Sequence, residues 1–207
     1  MKNEIKDTLA FERELLAGGA KYIGGMDEAG RGPLAGPVVA AAVIMPLDHP
    51  IAGVDDSKKV SEKKREKLFD EIIRDAIAYK ICLADERVID DINILNATKK
   101  AMTECVEGLS VTPDIVLVDA VKLALEVPTK AIIKGDALSY SIAAASILAK
   151  VYRDRLMREY DRQYPQYGFA KHKGYGTKDH IDALREYGPC PIHRRTFITH
   201  FVSAENE

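Results

Sequence analysis

The stretch Tyr22-Ile-Gly-Gly-Met-Asp27-Glu28-Ala-Gly-Arg31-Gly-Pro-Leu-Ala-Gly-Pro37 constrains this chain more than any other. An apolar run ends on two adjacent carboxylates, and a glycine-rich turn carrying one arginine follows directly. The next run, Val38 to Ile44, is again β-rich. The chain must therefore leave one buried strand, turn, and enter another. Ordinary solubility does not account for charge at the inner end of such a strand, because burying an unpaired carboxylate is costly. The pair predicts a cationic partner. Neighbouring side chains on a strand point to opposite faces, so Asp27 and Glu28 can share a ligand only if the strand ends or bends there. Gly30 and Gly32 supply the bend, and glycine lets a backbone approach a bound group closely. Gly30, Arg31 and Gly32 are thus a candidate contact surface. The same residues also fit a solvated strand end and a simple turn, and the rest of the chain decides between the two.

With 207 residues, 46% of them hydrophobic, the chain can bury one sizeable core. Cys82, Cys105 and Cys190 are odd in number, far apart and without a C-x-x-C pair. Neither a disulfide framework nor a zinc site is expected, in keeping with a reducing cytosol. The first residues lack a hydrophobic signal core, and no apolar run approaches membrane-spanning length. The expectation is a soluble, cytoplasmic protein with no membrane partner. Net charge is only -2, so global electrostatics do not announce a nucleic-acid binder. The distribution is uneven: Lys and Arg lead Asp and Glu by 11 to 8 from Ala137 onward, whereas acids lead by 24 to 19 before it. The later part also holds most of the aromatics, among them Tyr160, Tyr164, Tyr167, Phe169, Tyr175 and Phe197. That mixture suits phosphate neutralisation with stacking on sugars or bases, and equally a solvated face over an aromatic core.

Hydrophobic periodicity predicts a helix near Ile5 to Leu16, strands at Tyr22 to Asp27 and Val38 to Ile44, and a helix from the N-cap Ser61 to about Asp75. A strand near Ile77 to Leu83, a helix near Ile94 to Glu107 and strands at Ile115 to Asp119 and Val127 to Ile133 follow. A long helix is expected from about Asp136 to Tyr160, then a loop from Gln163 to Tyr175, a short helix from Lys178 to Glu186 and an irregular tail. Strands mixed with helices indicate an α/β layer fold.

Asp119 closes the run Ile115 to Val118 much as Asp27 closes the first strand. Ligands of α/β sheets gather outside strand ends, so acids at two such ends can converge. Asp136 follows Ile132-Ile-Lys-Gly135 and precedes the small-residue run Ser141 to Ser146. It fits a third acidic position, and equally a helix N-cap. Carboxylates sharing a pocket raise one another's pKa unless a multivalent cation offsets the charge. Oxygen donors without a Cys cluster or an HExxH pair favour the hard cations Mg²⁺ or Mn²⁺. Two such ions about 4 Å apart can activate a water and stabilise a leaving oxygen in one in-line displacement, without a separate general base. In Asp56-Ser57-Lys58-Lys59, Lys58 is a candidate phosphate contact, and a surface loop is the competing reading. His49, His172, His180, His193 and His200 show no metal-ligand spacing, and no G-x-S-x-G or Walker-type loop is present.

These residues resemble the bacterial ribonuclease HII family. The likeness runs from about Tyr22 to Phe197 through DEAGRGPLAGPVVAAAV, DSKKVSEKKR, NILNATKKAM, VLVDA, KGDALSYSIAAASILAKVYRD, HKGYGT and IHRRTF. It implies a ribonuclease H-like fold: a central mixed five-stranded sheet flanked by helices, with residues 1–160 as catalytic core and 161–207 as a helical, substrate-binding extension packed on it. It also carries the family's four acidic metal ligands onto Asp27, Glu28, Asp119 and Asp136. Gly30, Arg31 and Gly32 match the motif that senses the 2′-hydroxyl, the group that tells RNA from DNA. Tyr175 matches a tyrosine that stacks on the neighbouring deoxyribose. One departure is Ala120-Val-Lys after Asp119, where many members have glycine and asparagine. It puts the local turn shape in question.

The implied reaction is cleavage on the 5′ side of a ribonucleotide, in RNA/DNA hybrids and at single ribonucleotides embedded in duplex DNA, for ribonucleotide removal. Products would carry 3′-hydroxyl and 5′-phosphate ends, and two divalent ions would serve. A monomer is expected. Such enzymes can be recruited by a sliding clamp, although Thr196 to Glu207 carries no clear clamp-binding pattern. The alternatives are a ribonuclease HIII-like hybrid nuclease, against which Arg31 and the short amino terminus argue, and a non-catalytic nucleic-acid-binding module, against which the four acids argue.

Overall fold

The computed structural model of the protein describes residues 7–55, 57 and 59–202. Its sheet has five strands, β1 (Ile23–Ala29), β2 (Val38–Ile44), β3 (Ala78–Ala84), β4 (Ile115–Asp119) and β5 (Thr129–Ile132), in the order β3-β2-β1-β4-β5. The first three form an antiparallel meander, and β4 and β5 join parallel to β1. Helices α1 (Ala10–Ala17), α2 (Glu62–Asp75), α3 (Glu86–Glu107), α4 (Gly135–Leu138), α5 (Tyr140–Gln163), α6 (Phe169–His172), α7 (Lys178–Tyr187) and α8 (Arg195–Ile198) surround it.

The unbroken apolar run of β2 follows from its position: it is buried on both faces. With side chains alternating, Val39, Ala41 and Val43 pack on α2 and α5 among Phe69, Ile72, Ile147 and Leu148. Val38, Ala40 and Ala42 meet Ala97, Ala101 and Met102 of α3 on the other face. Each large aliphatic side chain so buried contributes about 1.5–3 kcal/mol. Helix α5 lies hard against β1 because Gly25 leaves room for it; a Cβ there would stand 2.0 Å from the Ser141 carbonyl oxygen. Helix α1 is fixed by Phe11 and Leu15 over Ile23, Leu117, Ile132 and Ile142. Its buried Glu12 accepts hydrogen bonds from the Ser139 hydroxyl (2.6 Å) and the Ser141 amide (3.0 Å), at the junction of α4 and α5.

Several local expectations change. The helix expected from Asp136 to Tyr160 is interrupted at Ser139, which has extended backbone and caps α5 by accepting from the Ile142 amide. The expected helix near Ile94 is the second half of α3, which begins at Glu86 and breaks sharply at Asn93 (φ 65°, ψ 164°). Asn93 caps that second half, its side-chain oxygen accepting from the amides of Leu95 and Asn96. The expected loop from Gln163 contains a 3-10 turn at Pro165–Tyr167 and the single-turn α6. Ile5 of the first predicted helix lies outside the described residues, and α1 begins at Ala10. The strand expected over Val127 to Ile133 is confined to Thr129–Ile132.

After α5 the chain folds back over the turn between β1 and β2. Tyr167, Phe169, Ala183, Cys190 and Ile192 form one apolar cluster with Ala35 and Met157. A short antiparallel bridge between Ala35 and His193 joins the two segments. Among the described residues, no helix is long and apolar enough to cross a membrane.

Candidate active site

Strand register brings the first two acids together. β1 and β4 are parallel neighbours with Met26 opposite Val118, so Asp27 and Asp119 are the next residues of adjacent strands. The third acid is brought in by the loop after β5. Lys134 adopts left-handed backbone (φ 58°, ψ 41°), and the Gly135 amide donates to Asp119 Oδ1 at 2.7 Å. That contact seats Asp136 at the start of α4. Ala120, the departure noted after Asp119, takes φ 51°, a left-handed conformation that glycine adopts without strain.

Asp27, Asp119 and Asp136 each offer a carboxylate oxygen, and these atoms lie within 4.8 Å of one another. Asp27 and Asp136 are buried. Burial, then the charge of Glu28 and, further down, that of Asp119 hold the Asp27 carboxyl well above its ordinary range. A hydrogen bond with Ser146 opposes this. Three converging oxygen donors whose charges disfavour one another fit a hard divalent cation. Glu28 is not part of the three-acid group; its Oε1 lies 3.4 Å from the Arg31 guanidinium.

Asp27 and Glu28 line a cleft of about 330 Å³ together with Gly30, Arg31, Gly32 and Tyr175. The sequence-predicted turn therefore stands beside the acids. Gly30 has φ +96°, and a Cβ there would lie 2.0 Å from Arg153 Nε, so both backbone and space require glycine. Tyr175 is half-exposed, and a Cβ on Gly32 would be 3.7 Å from its ring. Arg31 is exposed. Lys58 lies outside the described residues. Ser57, beside it in sequence, lines the same cleft and hydrogen-bonds Ser146 hydroxyl to hydroxyl at 2.8 Å.

Two residues that sequence reasoning missed fix this loop. Arg194 is fully buried and donates to the carbonyls of Gly30 (2.6 Å), Arg31 (2.9 Å) and Gly36 (2.9 Å). Arg153, also buried, donates to the carbonyls of Ala35 (3.1 Å), Pro37 (3.0 Å) and Lys173 (2.9 Å). Burial lowers the Arg194 pKa to about 9 and that of Arg153 to about 10. Both belong to the basic excess that suits either phosphate neutralisation or a solvated face, and neither reading holds for them. They are spent on backbone carbonyls, and Tyr167 and Phe169 likewise belong to the core. Their signal was present in KVYRD and IHRRTF, but charge alone does not reveal a buried arginine.

An α/β sheet of this strand order, with Asp27 and Asp119 on neighbouring parallel strands and Asp27 lining a cleft beside a glycine-rich loop, is the arrangement of a ribonuclease H-type enzyme. The chain belongs to the ribonuclease HII family, whose model matches residues 24–200. It is 60% identical to ribonuclease HII of Ruminiclostridium cellulolyticum over 96% of this chain and 78% of that one. It is 56% identical to ribonuclease HII of Caldicellulosiruptor bescii over 97% and 98% of the two chains. The crystal structure of ribonuclease H2 from Pyrococcus horikoshii superposes with a TM-score of 0.73 at 29% identity, covering 85% of this chain and 93% of that one. The ribonuclease H-like fold expected from sequence is thus present.

Proposed function

We propose that the chain hydrolyses the phosphodiester on the 5′ side of a ribonucleotide, in RNA/DNA hybrids and at single ribonucleotides embedded in duplex DNA, leaving 3′-hydroxyl and 5′-phosphate ends. The observation that carries this reading is the convergence of Asp27, Asp119 and Asp136 within 4.8 Å, with Asp27 also lining a cleft shared with Glu28, Gly30, Arg31, Gly32 and Tyr175. Asp27, Asp119, Asp136 and the adjacent Glu28 would hold Mg²⁺ or Mn²⁺, which when bound as a pair activates water and stabilises the leaving oxygen. The glycine loop is held before any substrate arrives, since Arg194 already binds the Gly30 and Arg31 carbonyls. Such prior fixing lets a 2′-hydroxyl be read without an ordering cost at the moment of binding. The Tyr175 ring, beside Gly32 and half-exposed, offers a flat face to the next sugar. Lys58 would take a backbone phosphate.

A DNA duplex carrying one ribonucleotide tests the reading. With Mg²⁺, one cut is expected immediately 5′ to the ribonucleotide, leaving an all-DNA duplex intact, and Asp27→Asn abolishes the cut. Cleavage confined to runs of several ribonucleotides would favour the ribonuclease HIII-like alternative instead.

A further inference from the structure

Beneath Tyr175 lie three buried histidines that the site chemistry does not use: His172, His180 and His193. Their ring nitrogens meet backbone groups whose donor or acceptor character is fixed. His180 Nδ1 stands 2.9 Å from the Tyr175 carbonyl oxygen, which only accepts, so that nitrogen carries the proton. A neutral imidazole has one N–H, which leaves His180 Nε2 bare. Facing it at 3.0 Å is His193 Nε2, which must then be the donor. His193 Nδ1 is left bare, and the Cys190 amide donates to it at 3.0 Å. The third ring obeys the same logic: His172 Nδ1 accepts from the Gly174 amide at 3.2 Å, and Nε2–H donates to the Tyr167 carbonyl at 2.7 Å. These bonds are satisfied with all three rings neutral, and the Cys190 thiol also faces the bare His193 Nδ1 at 3.1 Å.

We propose that His180 and His193 are positioning residues for Tyr175: a neutral imidazole pair in opposite tautomers that transmits one direction of hydrogen bonding from the Cys190 amide to the Tyr175 carbonyl. The pair ties the Tyr175 turn to the Cys190–His193 segment, which also bridges Ala35 next to the glycine loop. The Tyr175 backbone is held at its amide too, by the His172 carbonyl at 3.0 Å. His172 stacks on His180 with ring centroids 4.5 Å apart, packing one face of the His180 ring. The ionisable groups around the pair are His172, Cys190, Tyr167 and Arg195. Of these only Arg195 is charged, and it disfavours added positive charge. Burial acts the same way, holding His193 down to about 4 and His180 below its ordinary value. One competing arrangement exists: a doubly protonated His180 donating to His193 Nε2, with His193 Nδ1–H donating to the Cys190 carbonyl at 3.3 Å.

The functional part of this inference rests on the reading of Tyr175 as a substrate-facing ring, and the experiments separate the two. Nitrogen-15 NMR of the histidine-labelled full chain at neutral pH should show His180 protonated at Nδ1 only and His193 at Nε2 only. The opposite tautomer in either ring, or a doubly protonated His180, overturns the proposal. His193→Leu removes the central donor, whereas His193→Gln returns an amide N–H near the same place. The leucine variant should speed hydrogen exchange at the Tyr175 and Thr177 amides. It should also lower the ratio of single-ribonucleotide to long-hybrid cleavage by roughly three- to tenfold, the worth of one hydrogen bond, chiefly through KM. The glutamine variant should restore both. In a Tyr175→Ala background, His193→Leu should cause no further loss of that ratio. Unchanged exchange in His193→Leu, or equal loss with and without Tyr175, overturns the positioning role. If Tyr175→Ala alone leaves the ratio unchanged, the stacking role of Tyr175 is wrong, and the tautomer and exchange results still decide whether the pair holds the turn.

Discussion

The acidic group and the arginines that hold the glycine loop both bury charge, but surround it differently. Near the carboxyl ends of β1 and β4, Asp27 and Asp119 come within 4.8 Å of one another and of Asp136, and burial, then the charge of Glu28 and that of Asp119, raise the Asp27 pKa. On the other side, Arg153 and Arg194 are at least as deeply buried, yet each guanidinium meets three backbone carbonyls at hydrogen-bonding distance. The arginine side is satisfied from within the chain and serves as scaffold. The acidic side gathers like charges, an arrangement that a divalent cation would offset. Burial opposes charge at both places, lowering the arginine pKa values as it raises that of Asp27; what separates them is that the guanidiniums are hydrogen-bonded to carbonyls while the acids face like charge.

This contrast predicts different responses to removing charge. Arg194→Met strips three buried carbonyls of their donor and should destabilise the fold by roughly 3 kcal/mol or more in denaturant unfolding. Arg194→Lys should recover little, since an ammonium cannot reproduce the planar fork. Asp27→Asn, by contrast, should leave the melting temperature of the metal-free protein unchanged or raised, because it removes repulsion. A large loss of stability there would erase the distinction between the acids and the arginines.

The histidine layer beneath Tyr175 gives a smaller, pH-dependent effect. His193 has a folded pKa near 4, below its unfolded value, so the unfolded state binds more protons between the two. Its contribution to stability is complete at neutral pH and is lost as the pH falls from about 6.5 toward 4, by up to about 3 kcal/mol. His193→Gln should flatten the wild-type decline over that window, and an unaltered slope would place the titration elsewhere. The smallest effect concerns the turn after Asp119. Ala120 sits at φ 51°, and Ala120→Gly should stabilise the protein by about 1 kcal/mol or less, strain relief being partly offset by the greater freedom of unfolded glycine. Destabilisation would show that the alanine methyl packs usefully.

What the sequence made legible follows from which interactions are local. The strands were readable because β2 is apolar at every position, β4 ends on Asp119, and β1 is apolar up to the acids near its end. Asp27, Asp119 and Asp136 could be grouped because strand ends in α/β sheets converge. Harder to read were features set by distant partners. Ser139 interrupts the predicted long helix where Glu12, 127 residues away, binds its hydroxyl. Arg194 looked like surface charge because its carbonyl partners lie about 160 residues earlier. The histidines carried no ligand spacing because their partners are backbone groups and one another. Asn93, with backbone that helical periodicity cannot anticipate, hid the first turns of α3.

The account stands most directly on the affinity of the acidic end for divalent cations. Titrating Mn²⁺ into the full chain and following free ion by electron paramagnetic resonance measures it without any substrate. Wild-type protein should bind Mn²⁺ and lose that binding on competition with Mg²⁺, while Asp119→Asn, folded as judged by its unfolding transition, should bind at least tenfold more weakly. Equal Mn²⁺ affinity in wild type and Asp119→Asn would contradict the assignment of the β1 and β4 ends as the metal site.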